Sequence, residues 1–201
     1  LCLDKQDEKT AQKNPFYKRT TAISYGSHQL LKATNLWDEL SPFACPIQSI
    51  EVLDGNSPTL LQFDISESTQ ATTADGFGWV IENHHIQNLL VKTIHSLENA
   101  TYHSGVSVTA ITHGDNNIAV TTHDNQCYSA QLLIGADGRK SFVREACGIK
   151  AEEFTYNQNA IVSIIEHENS HDHIAVEHFK SSGPFASLPM INSESGNHRS
   201  S

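Results

Sequence analysis

The stretch Leu132-Leu133-Ile134-Gly135-Ala136-Asp137-Gly138-Arg139-Lys140-Ser141-Phe142-Val143-Arg144 concentrates residue types suited to holding a cofactor. Three consecutive large apolar residues without alternation predict a strand buried on both faces, as in a parallel sheet. Gly135 and Ala136 are small enough at its exit for a ligand to approach the backbone. Asp137 is then expected at the carboxyl edge of the sheet, where open α/β folds bind ligands and an ionised carboxylate accepts hydrogen bonds from ribose hydroxyls. Gly138 permits the tight turn. A short helix is expected from Ser141, stopped by Gly148. The plainer reading of Asp137 and Gly138 is a surface turn, and that of Arg144 a solvated helix cation.

The elements that must position this turn are legible in outline. Leu1 to Asp4 reads as a strand, and Lys5 to Lys18 as a polar surface connection. Ser24 is placed to cap a helix reaching about Leu36, with Leu30, Leu31 and Leu36 on its apolar side. Ile47 to Leu53 and Thr59 to Ile65 alternate around Asp54-Gly55-Asn56-Ser57-Pro58, a hairpin signal. Glu67 to Asp75 is a Ser- and Thr-rich loop. Asn83 opens a helix whose Ile86, Leu89, Leu90, Ile94 and Leu97 recur at three- and four-residue steps. Val106 to Ile111 and Ile118 to Thr122 form another pair around Gly114-Asp115, and Ala160 to Ile165 and Ile174 to Phe179 are expected strands.

Several segments carry a resemblance. The pattern small-small-Asp-Gly-x-charged-Ser-x-apolar-Arg at 135–144 resembles the DG motif of the FAD-dependent aromatic hydroxylases, the single-component flavoprotein monooxygenases. Arg19-Thr20-Thr21-Ala22-Ile23-Ser24 resembles the Arg-x-x-Ala-Leu-Ser segment of the ubiquinone-biosynthesis hydroxylases, and Gly78-Trp79-Val80-Ile81-Glu82-Asn83 their Gly-Tyr-Val-Val-Glu-Asn. Ala175-Val176-Glu177-His178-Phe179 and Gly183-Pro184-Phe185-Ala186-Ser187-Leu188-Pro189 are similar to that subfamily's Ala-x-Glu-x-Phe and Gly-Pro-x-Ala-x-Leu-Pro.

The resemblance implies an α/β (α+β) fold, with an incomplete Rossmann-like FAD-binding domain interrupted by a mixed or antiparallel substrate-domain sheet. The implied assignment is 1–46 and 78–154 to the FAD-binding domain and 47–77 and 155–201 to the substrate domain. It also implies FAD as cofactor, NAD(P)H as co-substrate, and hydroxylation of a prenylated phenol with O₂. In relatives the acidic residue matching Asp4 accepts from the adenosine ribose, and the arginine matching Arg19 lies along the flavin. Arg144 holds the DG turn or helps accept the nicotinamide cofactor. Asn83, where many relatives carry arginine, contacts the flavin, caps its helix, or does both. No catalytic Ser-His-Asp set or carboxylate pair is expected, since the cofactor supplies the chemistry.

Two departures stand beside these matches. None of the eleven glycines has the Gly-x-Gly-x-x-Gly spacing that holds the FAD pyrophosphate, and Gly114-Asp115 reads as a hairpin turn rather than the family's later Gly-Asp motif. The sequence therefore reads as an internal fragment. The chain by itself is expected to lack stoichiometric FAD.

Composition narrows the alternatives. A length of 201 residues suffices for one or two domains, and 38% apolar content is compatible with a folded core. The net charge of −10 argues against a nucleic-acid surface, which needs clustered Lys and Arg. No apolar run approaches the ~18 residues of a transmembrane helix, so access to a lipid-soluble substrate would require peripheral docking at the inner membrane or a partner complex. Cys2, Cys45, Cys127 and Cys147 form no Cys-x-x-Cys pair, which points to reduced thiols and a cytosolic setting. Twelve histidines raise a second class, a metal-binding module around His171 and His173, with Glu166, His167, Glu168 and His178 nearby in sequence. Cys147 is the nearest cysteine along the chain, so no closed ligand set is expected. A non-catalytic relative acting as scaffold is the third reading.

Overall fold

Local turn signals set most of the elements observed in the computed structural model, which describes residues 1–11, 19–57, 61–67 and 76–201. The connection through Lys18 and the loop 67–75 lie largely outside the described residues. Contacts divide the chain into two units. One comprises Leu1–Asn14 and Lys92–Ala160, the other Pro15–Val91 and Ile161–Ser201.

In the first unit Cys2–Asp4 pairs in parallel with Tyr102–Ser104. A three-stranded antiparallel sheet contains Val108–His113, Ile118–Thr122 and Cys127–Ala130, with Ile118–Thr122 in the centre. Gly114–Asn117 makes the expected tight turn, closed by the Gly114 N–H donating to the Asn117 carbonyl at 2.9 Å. Gly114-Asp115 is thus a hairpin turn. Alternation along the central strand buries Val120 and Thr122.

The expected strand Leu132-Leu133-Ile134 is not formed. Leu132 and Ile134 are 73% and 76% exposed. Among the described residues no strand pairs with them, and an unbroken apolar run states a need for cover without supplying it.

In the second unit, Gly78–Glu82 is the middle strand of an antiparallel sheet between Thr20–Ser24 and Cys45–Ile47. Trp79 and Ile81 enter one cluster with Trp37, Leu40, Ala44 and Leu89, whereas Val80 enters another with Ile47, Ala175 and Met190. Both faces of this strand are therefore covered. The expected hairpin appears as Ser49–Asp54 against Leu61–Asp64. Ser49–Asp54 also pairs in parallel with Ile174–Lys180, which continues antiparallel into Gly183–Ser187. A further antiparallel sheet joins Ile165–His167, His198–Ser200 and Pro189–Met190. Its first strand begins at Ile165, five residues later than expected from Ala160.

Ser24 caps helix α1, Tyr25–Ala33, accepting from the Ser27 N–H. The helix stops short of Leu36 because Asn35 takes a left-handed conformation (φ 57°), and a separate turn of helix, α2, follows at Trp37–Leu40. Leu31 and Leu36 pack on the core, but Leu30 faces solvent. Helix α3, Asn83–Ser96, buries Leu89 and packs Ile86 inward, leaving Leu90 and Leu97 outside the stripe.

Candidate functional site

The 135–144 turn is built around the Asp137 carboxylate. The Ser141 hydroxyl donates to its Oδ1, and the Val143 N–H donates to its Oδ2 at 3.1 Å. Ser141 in turn caps helix α4, Phe142–Ala146, accepting from the Arg144 N–H at 2.9 Å. Burial opposes ionisation of Asp137, but donation by the Ser141 hydroxyl and the Val143 and Phe142 amides outweighs it. The carboxyl is held below the usual range and is ionised at neutral pH.

Gly138 has φ 85°, which a side chain rarely tolerates. Gly135 is required by packing, because a Cβ there would stand 2.8 Å from Val143 Cγ1. Arg144 donates through Nη2 to the Arg139 carbonyl at 2.9 Å, so its guanidinium clasps the turn. Gly148, with φ 68°, ends the helix at the position read from sequence.

Asp4 also lies in the first unit, at the carboxyl end of its parallel strand. Its Oδ1 accepts from the Gln6 N–H at 2.8 Å and its Oδ2 from the Tyr102 hydroxyl at 3.1 Å. Burial, together with the Asp4 charge and hydrogen bond, raises the Tyr102 pKa and keeps that hydroxyl a donor.

Arg19 and Asn83 belong to the second unit, where the Asn83 N–H donates to the Arg19 carbonyl at 2.8 Å. The Asn83 side chain is buried, and its Oδ1 accepts from the Thr21 hydroxyl at 2.5 Å. Asn83 thereby ties the start of α3 to the strand beginning at Thr20. The Arg19 side chain is exposed. Thus the structure brings together Asp137, Gly138 and Arg144, and separately Arg19 and Asn83.

Each carboxylate offers about four lone-pair sites, and the hydrogen bonds from Gln6 and Tyr102 to Asp4, and from Ser141, Val143 and Phe142 to Asp137, leave acceptor capacity for hydroxyl groups. These free acceptor positions fit the hydroxyl groups of the ribose and ribityl parts of FAD. Of the aromatic residues considered for a pocket, Trp79 is core, while Tyr156 is 83% and Phe179 50% exposed.

Residues 1–198 match the family described as FAD binding domain. The chain belongs to that family. It is 36% identical over 190 residues to the ubiquinone hydroxylase UbiL of Rhodospirillum rubrum, covering 94% of this chain and 43% of the relative. It is 29% identical over 203 residues to the mitochondrial ubiquinone biosynthesis monooxygenase COQ6 of Mus musculus, covering 94% of this chain and 41% of the relative. The chain therefore spans less than half the length of these curated relatives.

The fold of this family member resembles that of PqsL, a probable FAD-dependent monooxygenase from Pseudomonas aeruginosa. The TM-score is 0.75 at 16% identity, covering 98% of this chain and 51% of that one. A mixed α/β fold of the FAD-dependent monooxygenase type is thus established.

The sequence reading missed the Ser141 and Tyr102 hydroxyls that hold Asp137 and Asp4. For Ser141 the signal was present, as a serine four residues after an aspartate at a helix start. It also missed that Cys45, remote along the chain, lies beside His173.

Proposed function

We propose that the protein is an FAD-dependent monooxygenase that hydroxylates a polyprenylated phenol in ubiquinone biosynthesis, taking electrons from NAD(P)H and oxygen from O₂. The observation that carries this reading is the similarity to ubiquinone hydroxylases over 94% of the chain. Bound FAD supplies the oxygen-transfer chemistry.

This chain's residues bind and orient. Asp4 accepts from the adenosine ribose and Asp137 from hydroxyls of the cofactor, while Gly138 and Arg144 keep the turn in shape. By resemblance to the ubiquinone-biosynthesis hydroxylases, Arg19 runs along the flavin and Asn83 contacts the flavin, caps its helix, or does both. The assignment of 47–77 and 155–201 to the substrate wall is supported by the shared sheet of Ser49–Asp54 and Ile174–Lys180. No described helix is long and apolar enough to cross a membrane. We place the enzyme in the cytoplasm, docked peripherally on the membrane or held in a biosynthetic complex, from where it reaches a membrane-soluble phenol.

The test supplies the full-length gene to strains lacking single ubiquinone-pathway hydroxylases and measures quinones by mass spectrometry. Restored ubiquinone in one strain is expected. Failure in all, with folded and flavin-loaded protein, rejects this substrate class. In the same protein Asp137→Ala should weaken FAD binding by about 1.5 to 3 kcal/mol through loss of a charged acceptor. Unchanged flavin retention would make Asp137 a turn residue only.

A further inference from the structure

Among the described residues, Cys45, His171 and His173 form a group whose potential ligand atoms all lie within 4.8 Å of one another. We propose that these three side chains bind a zinc ion. The site is distinct from the residues assigned to FAD, and its evidence does not depend on flavin binding.

Geometry is the first support. Cys45 Sγ lies 3.6 Å from His173 Nδ1. Tetrahedral zinc, with Zn–S near 2.3 Å and Zn–N near 2.0 Å, places its sulfur and nitrogen ligands about 3.5 Å apart. This pair already stands at ligand separation.

Orientation is the second. His171 Nε2 lies 2.9 Å from the Met190 carbonyl, which can only accept, so Nε2 carries the proton. The other nitrogen, Nδ1, is then unprotonated and accepts from the His173 N–H at 3.1 Å, a hydrogen bond that the metal displaces when it takes that lone pair. Metal-binding imidazoles are commonly fixed in this way by a backbone carbonyl on the far nitrogen. At His173, Nδ1 also faces the Pro46 carbonyl at 3.2 Å, a contact that the metal replaces as the proton moves to Nε2.

The backbone and surroundings agree. Asp172 and His173 are consecutive non-glycine residues with positive φ, 48° and 58°, in the turn that presents both imidazoles. Such strain concentrates at ligand clamps. His198 stands 5.8 Å from His171 between ring centres, and its buried Nδ1 has no hydrogen-bond partner among the described residues. His171 also lines a cleft of about 350 Å³, together with His167 and Asp172.

One thiolate and two imidazoles favour zinc over the oxygen-seeking cations. On binding, the Cys45 thiol forms an S–Zn bond and gives its proton to solvent. No electron transfer is involved. The ion would staple the strand Cys45–Ile47 to the turn preceding Ile174–Lys180.

The experiment uses untagged full-length protein stripped of metal, titrated with zinc against a chromophoric chelator and, separately, with cobalt(II). One tight equivalent of zinc is expected, with a sulfur-to-cobalt charge-transfer band and an increase in Tm on zinc addition. Cys45→Ser and His173→Ala should each weaken binding by about a hundredfold or more and remove the Tm increase. His113→Ala, an exposed histidine in another sheet, should behave as wild type. The near-isosteric Cys45→Ser should retain the metal-free melting temperature, separating ligand loss from misfolding. Non-stoichiometric zinc, equal binding by Cys45→Ser, a cobalt spectrum without the sulfur band, or uptake of copper(I) but not zinc would overturn the proposal.

Discussion

Asp137 holds its own turn through the Ser141 hydroxyl and the Val143 amide. Because its folded pKa lies below the ordinary value, the unfolded chain takes up the proton more readily than the folded one. Its contribution is fully present above the unfolded pKa of about 3.9 and is lost as pH falls through the lower folded value. The difference in urea midpoint between wild type and Asp137→Asn should be constant near neutrality and shrink below about pH 4. A difference unchanged to strongly acid pH would show that the carboxylate charge does not hold the turn. Ser141→Ala removes both the helix cap and the Asp137 partner, and should cost about 1 to 2 kcal/mol in chemical denaturation. A loss within error would assign the capping to Asp137 alone.

At the scale of elements, Trp79-Val80-Ile81 and Leu132-Leu133-Ile134 present the same apolar triplet and meet opposite fates. The first is flanked by a strand on each side and a cluster on each face; the second lacks a pairing strand among the described residues. Trp79 stands 5.2 Å from Trp37 between rings, with the His28 ring close to both. Trp79→Ala should therefore cost about 3 to 5 kcal/mol, read as a lower urea midpoint with little change in slope. A loss under 1 kcal/mol would mean that the cluster collapses around the space. The hairpins at Asp54–Ser57 and Gly114–Asn117 were legible because turn chemistry is local. Asp137, Gly138 and Arg144 were legible as a motif for the same reason. The pairing of Ser49–Asp54 with Ile174–Lys180, and of Cys45 with His173, was not, because nothing near either partner in sequence names the other.

Over the whole molecule, that parallel seam joins Ser49 to Ile174, about 125 residues apart in sequence. Closing so long a loop costs about 2 kcal/mol more than closing a ten-residue hairpin. The hairpins Ser49–Asp64 and Ile174–Ser187 are expected to form first, and the seam late. Ile50→Val at the seam should accelerate unfolding and leave the refolding rate nearly unchanged in stopped-flow experiments. Slowed refolding would put the seam in the nucleus. The same separation matters during synthesis. At about 5 to 20 residues per second, roughly 6 to 25 s pass between emergence of Ser49 and of its partner Ile174. For that interval the nascent chain carries an open strand edge, a substrate for chaperones and a template for mispairing between neighbouring ribosomes on one message.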